Sequence, residues 1–365
     1  MDTHVFKPDL PAPALSVGPL GWLRANLFSG GFNTLLTLLG LYLLWLIVPP
    51  LLDWAIIKAD WVGDSRADCS REGACWVFVK ERFGQFMYGF YPRPLRWRVD
   101  LTVLLAIIGA APLFIGVFRH KVRYGLAFLF AYPLLAYWLL HGGFLGLSGV
   151  PTSQWGGLML TLVIAAVGIA GALPLGILLA LGRRSELPAI KVLCVTFIEF
   201  WRGVPLITVL FMSSVMLPLF LPEGMNLDKL LRAMLMVILF EAAYIAEVVR
   251  GGLQAIPKGQ YEAAQALGLG YWRMTGLVIM PQALTLVIPG IVNTFIALFK
   301  DTSLVIIIGL FDFLNSIKRA TADPAWLGMS TEGYVFAAAV YWIFCFGISR
   351  YSQHLERRLE TGHRH

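Results

Sequence analysis

Residues 155–181 read WGGLMLTLVIAAVGIAGALPLGILLAL, and this stretch decides the class of fold. A helix needs about 20 predominantly apolar residues to cross a hydrocarbon layer of ~30 Å. No Asp, Glu, Lys or Arg occurs from residue 124 to 182, a length too great for one crossing. Residues 142–154 are rich in Gly, Pro and Ser and form the natural turn between two spans. The stretch therefore predicts a membrane protein with several crossings.

The composition of the whole chain agrees with this prediction. Of its 365 residues, 58% are hydrophobic and 14% are charged, against roughly 45–50% and about 25% in soluble domains. A soluble enzyme, a nucleic-acid-binding protein and a disulfide scaffold are all disfavoured. The net charge of +7 comes from short basic clusters between apolar runs, which is typical of cytoplasmic loops and does not indicate a nucleic-acid partner.

Eight apolar runs predict about eight transmembrane helices in an all-α fold. The runs are 32–52, 101–118, 124–141, 155–181, 195–220, 231–249, 280–299 and 333–349. Eight crossings bring four basic clusters to the same side of the membrane, at 119–123, 183–191, 250–273 and 350–364. The positive-inside rule makes that side cytoplasmic, and both termini lie on it.

Two long segments, residues 1–30 and 53–100, lie outside the predicted spans. Residues 1–30 lack the basic and short apolar regions of a cleavable signal and are predicted to be a cytoplasmic tail. Residues 53–100 form a long loop on the outside. Arg93, Arg96 and Arg98 at the end of this loop go against the positive-inside rule, which has little hold on long loops.

Cys69 and Cys75 lie in the long outside loop, where an oxidising periplasm would allow them to pair as a disulfide. Two free thiols in a polar loop are the alternative. No histidine is near these cysteines, so a metal site is disfavoured and none is expected on the chain.

A search for catalytic and nucleotide-binding motifs is negative. The chain has no Gly-Lys dipeptide, so it lacks a Walker A loop and does not bind ATP in that way. Gly146-Leu147-Ser148-Gly149 matches the nucleophile signature of intramembrane serine proteases, but the histidines lie in tails, loops or span edges, where no base is available. We expect no enzyme activity, no catalytic residue and no cofactor on this chain.

The most informative stretch, residues 250–282, reads RGGLQAIPKGQYEAAQALGLGYWRMTGLVIMPQ. Pro257 ends the preceding span, and residues 260–267 then suit a short helix. Glu262 is expected in its first turn, where a carboxylate meets the positive end of the helix dipole. Gly268 is expected to end the helix in a left-handed conformation. Small side chains on a short exposed helix permit close approach by another protein, although an ordinary connector is the alternative.

Glu262-Ala263-Ala264, followed by Gly268 and then by Val278, Met280 and Pro281, resembles the EAA loop of ABC importer permeases. Over about 150–350 the chain is also similar to the histidine/glutamine branch of the polar amino acid permeases. The matching residues are Arg202-Gly203-Val204-Pro205, Ala243-Tyr244, Glu247, Arg250, Pro257-Lys258-Gly259-Gln260 and Lys300-Asp301-Thr302-Ser303-Leu304. Residues 1–150 are extra relative to the five-helix core of that family. Such an extension resembles the M-type permease subunit of the general L-amino acid transporter.

The resemblance implies a permease of the bacterial inner membrane that imports L-amino acids and is driven by ATP. Its partners would be a second, related permease chain in a heterodimer, two ATP-binding subunits that use ATP and Mg²⁺, and a periplasmic amino-acid-binding protein. Coupling to the ATPase would fall to Gln260, Glu262, Ala263, Ala264, Gly268 and Pro281. The implied regions are a tail at 1–30, an extension with three spans at 31–150, the permease core at 151–352 and a cytoplasmic tail at 353–365.

Charged side chains within a span cost about 2.5–3.5 kcal/mol on insertion scales, so each needs a partner or a function. Glu241 lies roughly 13 Å of helix past Arg232, near the middle of the membrane. Lys300 and Asp301 are adjacent at the end of the seventh run. Glu241 and Lys300 would bind the ammonium and carboxylate groups of an amino acid, with Asp301 beside them. The alternative is that Glu241 pairs internally with Arg202 or Lys300 and never meets substrate.

Two other classes of function remain open at this point. One is an ion-coupled secondary transporter, in which Glu241 carries a proton or an ion near the midplane. The other is a membrane enzyme. The spacing of the EAA loop favours the ABC permease over both.

Overall fold

The computed structural model describes residues 18–70, 72–114, 120–143, 145–220, 222 and 227–360. Within these ranges the chain is α-helical and has one strand, β1 (Phe311–Asp312), which confirms the all-α prediction. The helices are α1 (Gly18–Asn26), α2 (Gly31–Leu52), α3 (Trp76–Tyr88), α4 (Trp97–Phe114), α5 (Lys121–His141), α6 (Gly157–Arg183), α7 (Pro188–Gly203), α8 (Leu206–Val215), α9 (Leu217–Phe220), α10 (Lys229–Ala255), α11 (Lys258–Ala266), α12 (Tyr271–Met274), α13 (Met280–Asp301), α14 (Phe313–Thr321) and α15 (Ser330–Glu360).

Within the described residues, each predicted apolar run falls on a helix or a broken helix; residues 115–118 of the run at 101–118 lie outside the described residues. Among the described residues, five helices are long and apolar enough to cross a membrane, or six if α7 and α8 count as one span. The chain is therefore polytopic. The prediction of eight crossings adds α4 and α10, which coincide with the runs at 101–118 and 231–249 but do not meet that criterion of length and composition.

The run at 195–220 is interrupted at Val204 and Pro205, between α7 and α8. Helices α7 and α8 meet at an angle of 99°. Val204 between them is extended, with φ −105° and ψ 133°, and Pro205 then caps α8. Proline has no N–H to donate and disfavours helical backbone at the residue before it, which accounts for the break.

The described residues up to Val77 form one compact unit. In this unit the structure joins Cys69 to Cys75 in a disulfide, with the two Cα atoms 5.6 Å apart. The Asp60 carboxylate accepts hydrogen bonds from the backbone N–H and the hydroxyl of Ser70, which fixes the loop beside the disulfide. Helix α2 buries none of its side chains, so its whole apolar surface remains available to lipid or to another chain.

Residues 78–365 form the second unit, whose centre is α10. This helix packs against α6, α7, α8 and α13. Glycines of α6 face it: a Cβ atom at Gly171 would lie 2.7 Å from Ile238, and one at Gly176 would lie 2.7 Å from Ile245. Lipid tails are as apolar as leucine, so helices in a membrane associate through such close packing of small residues.

The predicted outside segments contain helices that the sequence pattern did not reveal. Helix α3 lies within the long loop at 53–100, and α14 lies between the last two spans. Asp312 caps α14 by accepting hydrogen bonds from the backbone N–H groups of Leu314 and Asn315. Burial raises the pKa of the Asp312 carboxyl.

Arg98, which goes against the positive-inside rule in the predicted topology, has a structural partner. It is buried and donates hydrogen bonds to the backbone oxygen of Ser148, at 2.8 Å, and to the Ser148 hydroxyl, at 3.0 Å. Arg96 stacks over the ring of Tyr88, with 5.0 Å from its Cζ atom to the ring centroid. These arginines bind the protein itself, so they do not count as free basic residues of a loop.

The disulfide can be tested by thiol labelling in a Cys194→Ser/Cys345→Ser background, which leaves only the two loop cysteines. We expect no labelling of SDS-denatured, unreduced membranes and labelling of both residues after a reductant. Denaturation matters because Cys75 is 2% exposed and would resist the reagent even as a free thiol. Labelling of both cysteines before reduction would show two free thiols.

Candidate functional site

Helix α11 forms the loop between α10 and α12 and begins at Lys258, not at residue 260. Pro257 is its N-cap, and Gly268 follows its end with φ +71°, a left-handed conformation in which a side chain costs about 1 kcal/mol. The prediction that Glu262 lies in the first turn is wrong, because the helix starts earlier. The dipole effect falls off within the first turn, so it contributes little at Glu262.

Three contacts attach α11 to neighbouring helices. The Tyr261 hydroxyl donates a hydrogen bond to the backbone oxygen of Leu253, and Arg184 donates one to the same hydroxyl. The Gln282 side-chain amide donates to Gln260 Oε1 at 3.2 Å. Helix α11 is thus bound by hydrogen bonds to residues at the ends of α6, α10 and α13.

The outer face of α11 is open. Of the predicted coupling residues, Ala264 is buried, at 2% exposed, and packs inward. Gln260, Glu262, Ala263, Gly268 and Pro281 are exposed. Leu267 and Trp272 beside them are 80% and 72% exposed, so an apolar surface surrounds the helix. This combination of small, polar and apolar groups fits contact with another protein.

A network of ion pairs lies near α11, and the sequence pattern does not predict it as a whole. Glu247 of α10 lies 2.8 Å from Arg183, 2.8 Å from Arg250 and 3.8 Å from Arg202, and Arg183 also pairs with Glu199 at 2.8 Å. The network joins the ends of α6, α7 and α10. Glu247 and Arg250 are three residues apart, a spacing that places both side chains on one face of a helix. This pair is therefore the part of the network that the sequence could indicate.

Glu241 lies on α10 and is 3% exposed. Among the residues that the structure describes, it forms no ion pair, and Arg202, one of its suggested internal partners, pairs with Glu247 instead. Asp301 lies at the end of α13, which packs against α10. Two acidic side chains, one buried and one half-buried, therefore lie on helices that pack together.

Lys300 is placed differently from its neighbour. Its side chain is exposed, whereas Asp301 is half-buried, because successive residues of a helix point in different directions. Glu241 and Asp301 are therefore both withdrawn from solvent, whereas Lys300 is exposed and, within the described part of the chain, forms no ion pair with Glu241.

The chain matches the family described as the binding-protein-dependent transport system inner membrane component over residues 172–361. The chain belongs to this family. It is therefore an inner-membrane transport subunit and not an enzyme, and the ATPase activity of such a system lies in a partner subunit. The matched region contains α11, Glu241, the Glu247 network and Asp301.

Three relatives show how far the similarity of this permease extends. It is 64% identical to the inner membrane amino-acid ABC transporter permease protein YhdY of Escherichia coli K12, over 97% of each chain. It is 42% identical to the glutamate/glutamine/aspartate/asparagine transport system permease protein BztC of Rhodobacter capsulatus, over 97% of this chain and 96% of that one. It is 33% identical to the glutamate/aspartate import permease protein GltK of Escherichia coli O157:H7, over 55% and 91%.

Family membership decides between the classes of function left open by the sequence. A permease of a binding-protein-dependent system works with an ATPase and a substrate-binding protein, so the ion-coupled alternative for Glu241 is not supported. Among the described residues, no group of His, Cys, Asp and Glu side chains could hold a metal ion.

Replacing Glu241 with Gln tests whether its carboxylate serves transport or structure. The variant keeps the shape of the side chain and breaks no ion pair within the described chain, so we expect normal yield of the assembled complex and about tenfold slower uptake. Glu247→Gln on the same helix is the matched control, and it should lower the yield because it removes the partner of three arginines. Uptake rates and complex yield are measured together. Loss of assembly in Glu241→Gln would mark an internal structural residue, and unchanged uptake would exclude it from the site.

Proposed function

We propose that this chain is the membrane-spanning subunit of an ATP-driven importer of L-amino acids. The observation that carries the proposal is the 64% identity, over 97% of both chains, to an amino-acid ABC transporter permease. The second relative, which also aligns over nearly its full length, is named for glutamate, glutamine, aspartate and asparagine transport. An amino acid brings an ammonium group and a carboxylate, and the charges near Glu241 match that chemistry.

The substrate ammonium group is assigned to the space between Glu241 and Asp301. Carboxylates at Glu241 and Asp301 would repel each other across the contact between α10 and α13, and a cation between them would remove that repulsion. Lys300 at the edge of the pair would receive the substrate carboxylate. Because Glu241 has no cationic partner among the described residues, the substrate can supply that charge without displacing one.

The energy of ATP hydrolysis would reach this chain through α11. The chain has no Walker A loop, so energy from ATP hydrolysis must arrive as movement of a docked ATPase subunit. The exposed residues Gln260, Glu262 and Ala263 would form the docking face, with Gly268 and Pro281 at its borders. Its contacts with Arg184, Leu253 and Gln282 would pass that movement to α6, α10 and α13.

The assembly would contain this chain, a second related permease chain, two ATP-binding subunits and a periplasmic amino-acid-binding protein. The resemblance to the M-type permease supports a heterodimer. The basic clusters support cytoplasmic N- and C-termini, which puts α11 on the side of the ATPase. Residues 151–352 would be the permease core, and 31–150 an extension with three spans between the tails at 1–30 and 353–365.

Substitutions at Gly268 test the coupling role. A Cβ atom at Gly268 would meet nothing within 4 Å, so any large defect must come from the backbone or from a partner. We expect Gly268→Ala to lower uptake mildly, because of its φ of +71°. Gly268→Arg should insert normally but abolish uptake and lose the ATPase. Gly270→Ala is the control, since Gly270 has φ −67° and is equally open.

The measurements are ATP-dependent uptake of glutamine and glutamate into proteoliposomes and the amount of ATPase that co-purifies with each variant. Wild-type uptake with a stoichiometric ATPase in Gly268→Arg would show that α11 is only a connector. Wild-type uptake that runs on a membrane potential without ATP would contradict the proposed function itself.

A further inference from the structure

A pocket of about 420 Å³ lies between the end of α3 and the end of α14. Its polar and aromatic lining comes from Arg82, Gln85, Phe90, Arg319 and Asp323. It belongs neither to the Glu241 site nor to α11. The sequence does not predict a site at these residues, because the two segments that carry them are far apart in the chain.

Arg319 is held in place without an ionic partner. Its Cζ atom lies 4.9 Å from the centroid of the Phe90 ring and 4.8 Å from that of the Phe311 ring. Among the described residues it forms no ion pair, although the side chain is exposed. Two aromatic contacts restrict the guanidinium, so little entropy is lost when it forms hydrogen bonds to a ligand. A planar guanidinium presents parallel donors that match a carboxylate.

The one carboxylate in the pocket is already neutralised. Arg82 pairs with Asp323, whose other oxygen accepts a hydrogen bond from the backbone N–H of Ala325 at 3.0 Å. The remaining charge of the lining is therefore that of Arg319. A free amino acid also needs an anion for its ammonium group, and none is left here. The lining fits an isolated carboxylate better than a zwitterion.

The pocket lies on the membrane side opposite to α11. Helix α13 crosses the membrane, α11 and α12 precede its first residue, and α14 follows its last turn. The ATPase is proposed to bind at α11, so the pocket faces the side from which the substrate-binding protein approaches. Residues 82–90 precede the region matched by the family, 172–361. The pocket thus combines the extension with the permease core.

We propose that this pocket receives a carboxylate side chain from the surface of the substrate-binding protein, with Arg319 as its anchor; this rests on the proposed function. Complementary charges at an interface steer the approach of the partner and select against others. Since three of the seven lining residues come from the extension, the pocket gives residues 78–90 a role in recognising the binding protein that belongs to this permease.

The test uses the complete permease–ATPase complex in nanodiscs and the amino-acid-binding protein that supports uptake by the wild-type complex. The variant is Arg319→Gln. The matched control is Lys318→Gln, which removes the same charge from the adjacent exposed residue of α14 but lies outside the pocket. Binding-protein affinity and stimulated ATPase activity are titrated for both.

We expect Arg319→Gln to weaken binding about tenfold, with the same maximal ATPase rate at saturation, and Lys318→Gln to change affinity less than about twofold. Arg319→Lys, which keeps the charge but not the planar donors, should fall between them. Raising the salt concentration should weaken wild-type binding more than that of Arg319→Gln.

Two results would overturn the proposal. One is equal affinity in Arg319→Gln and Lys318→Gln. The other is saturable binding of radiolabelled L-glutamate to the complex without the binding protein, lost in Arg319→Gln, which would make the pocket an amino-acid site. A wild-type complex whose ATPase no binding protein stimulates would overturn the proposed function as well, and that failure shows in the wild type and not in the variants.

Discussion

Gly176 of α6 lies so close to α10 that a Cβ atom there would be 2.7 Å from Ile245 Cγ2 and 2.9 Å from the backbone oxygen of Ala242. Gly252 of α10 lies similarly close to α13, because a Cβ atom added to Gly252 would be 2.6 Å from the backbone oxygen of Ala283. Such spacing brings three helix backbones together. In lipid, where apolar surface gains nothing by leaving water, this packing holds α10 at the centre of the core.

The central place of α10 explains how the helix formed by the apolar run at 231–249 can carry so many charges. Glu241 is buried among neighbouring helices and does not face lipid, and Glu247 is surrounded by the arginines of α6, α7 and its own helix. Helix α10 is followed, after Ile256 and Pro257, by α11, so the buried Glu241 and the exposed surface of α11 lie on consecutive helices. The ion pairs at Glu247 lie between these two regions and bind α7, whose break at Pro205 allows α8 to change direction.

The sequence predicted the helices well and the contacts between them poorly. Apolar runs are a local property, so every run coincides with a helix, and the turn at Gly268 follows from glycine itself. The start of α11 depended on Pro257 acting as a cap, which moved Glu262 out of the first turn. The segments that became α3 and α14 have no long apolar run, so nothing in the hydropathy pattern distinguished them from loop.

At the candidate sites, too, the sequence predicted single residues well and their contacts with other helices poorly. Charge in an apolar run marked Glu241 as unusual, but which residues of α13 are withdrawn from solvent depends on helix rotation, and Asp301 is half-buried where Lys300 is exposed. Arg98 goes against the positive-inside rule, and the reason is its hydrogen bond to Ser148. The sequence does not reveal this partner, because it lies fifty residues away in the chain. Arg319 gave no signal, because its two aromatic neighbours come from separate segments.

The contact between α6 and α10 can be tested with two alanine substitutions. Gly176→Ala forces a methyl group against the backbone of α10, whereas a methyl group at Gly168 would meet only the side-chain ends of Leu298 and Val237, at 3.0 and 3.1 Å. Thermal unfolding and uptake of the purified, reconstituted complex are measured for both. Overpacking predicts that Gly176→Ala loses about 1–3 kcal/mol of stability together with uptake, and that Gly168→Ala stays close to the wild type. Equal stability and uptake in the two variants would contradict the account.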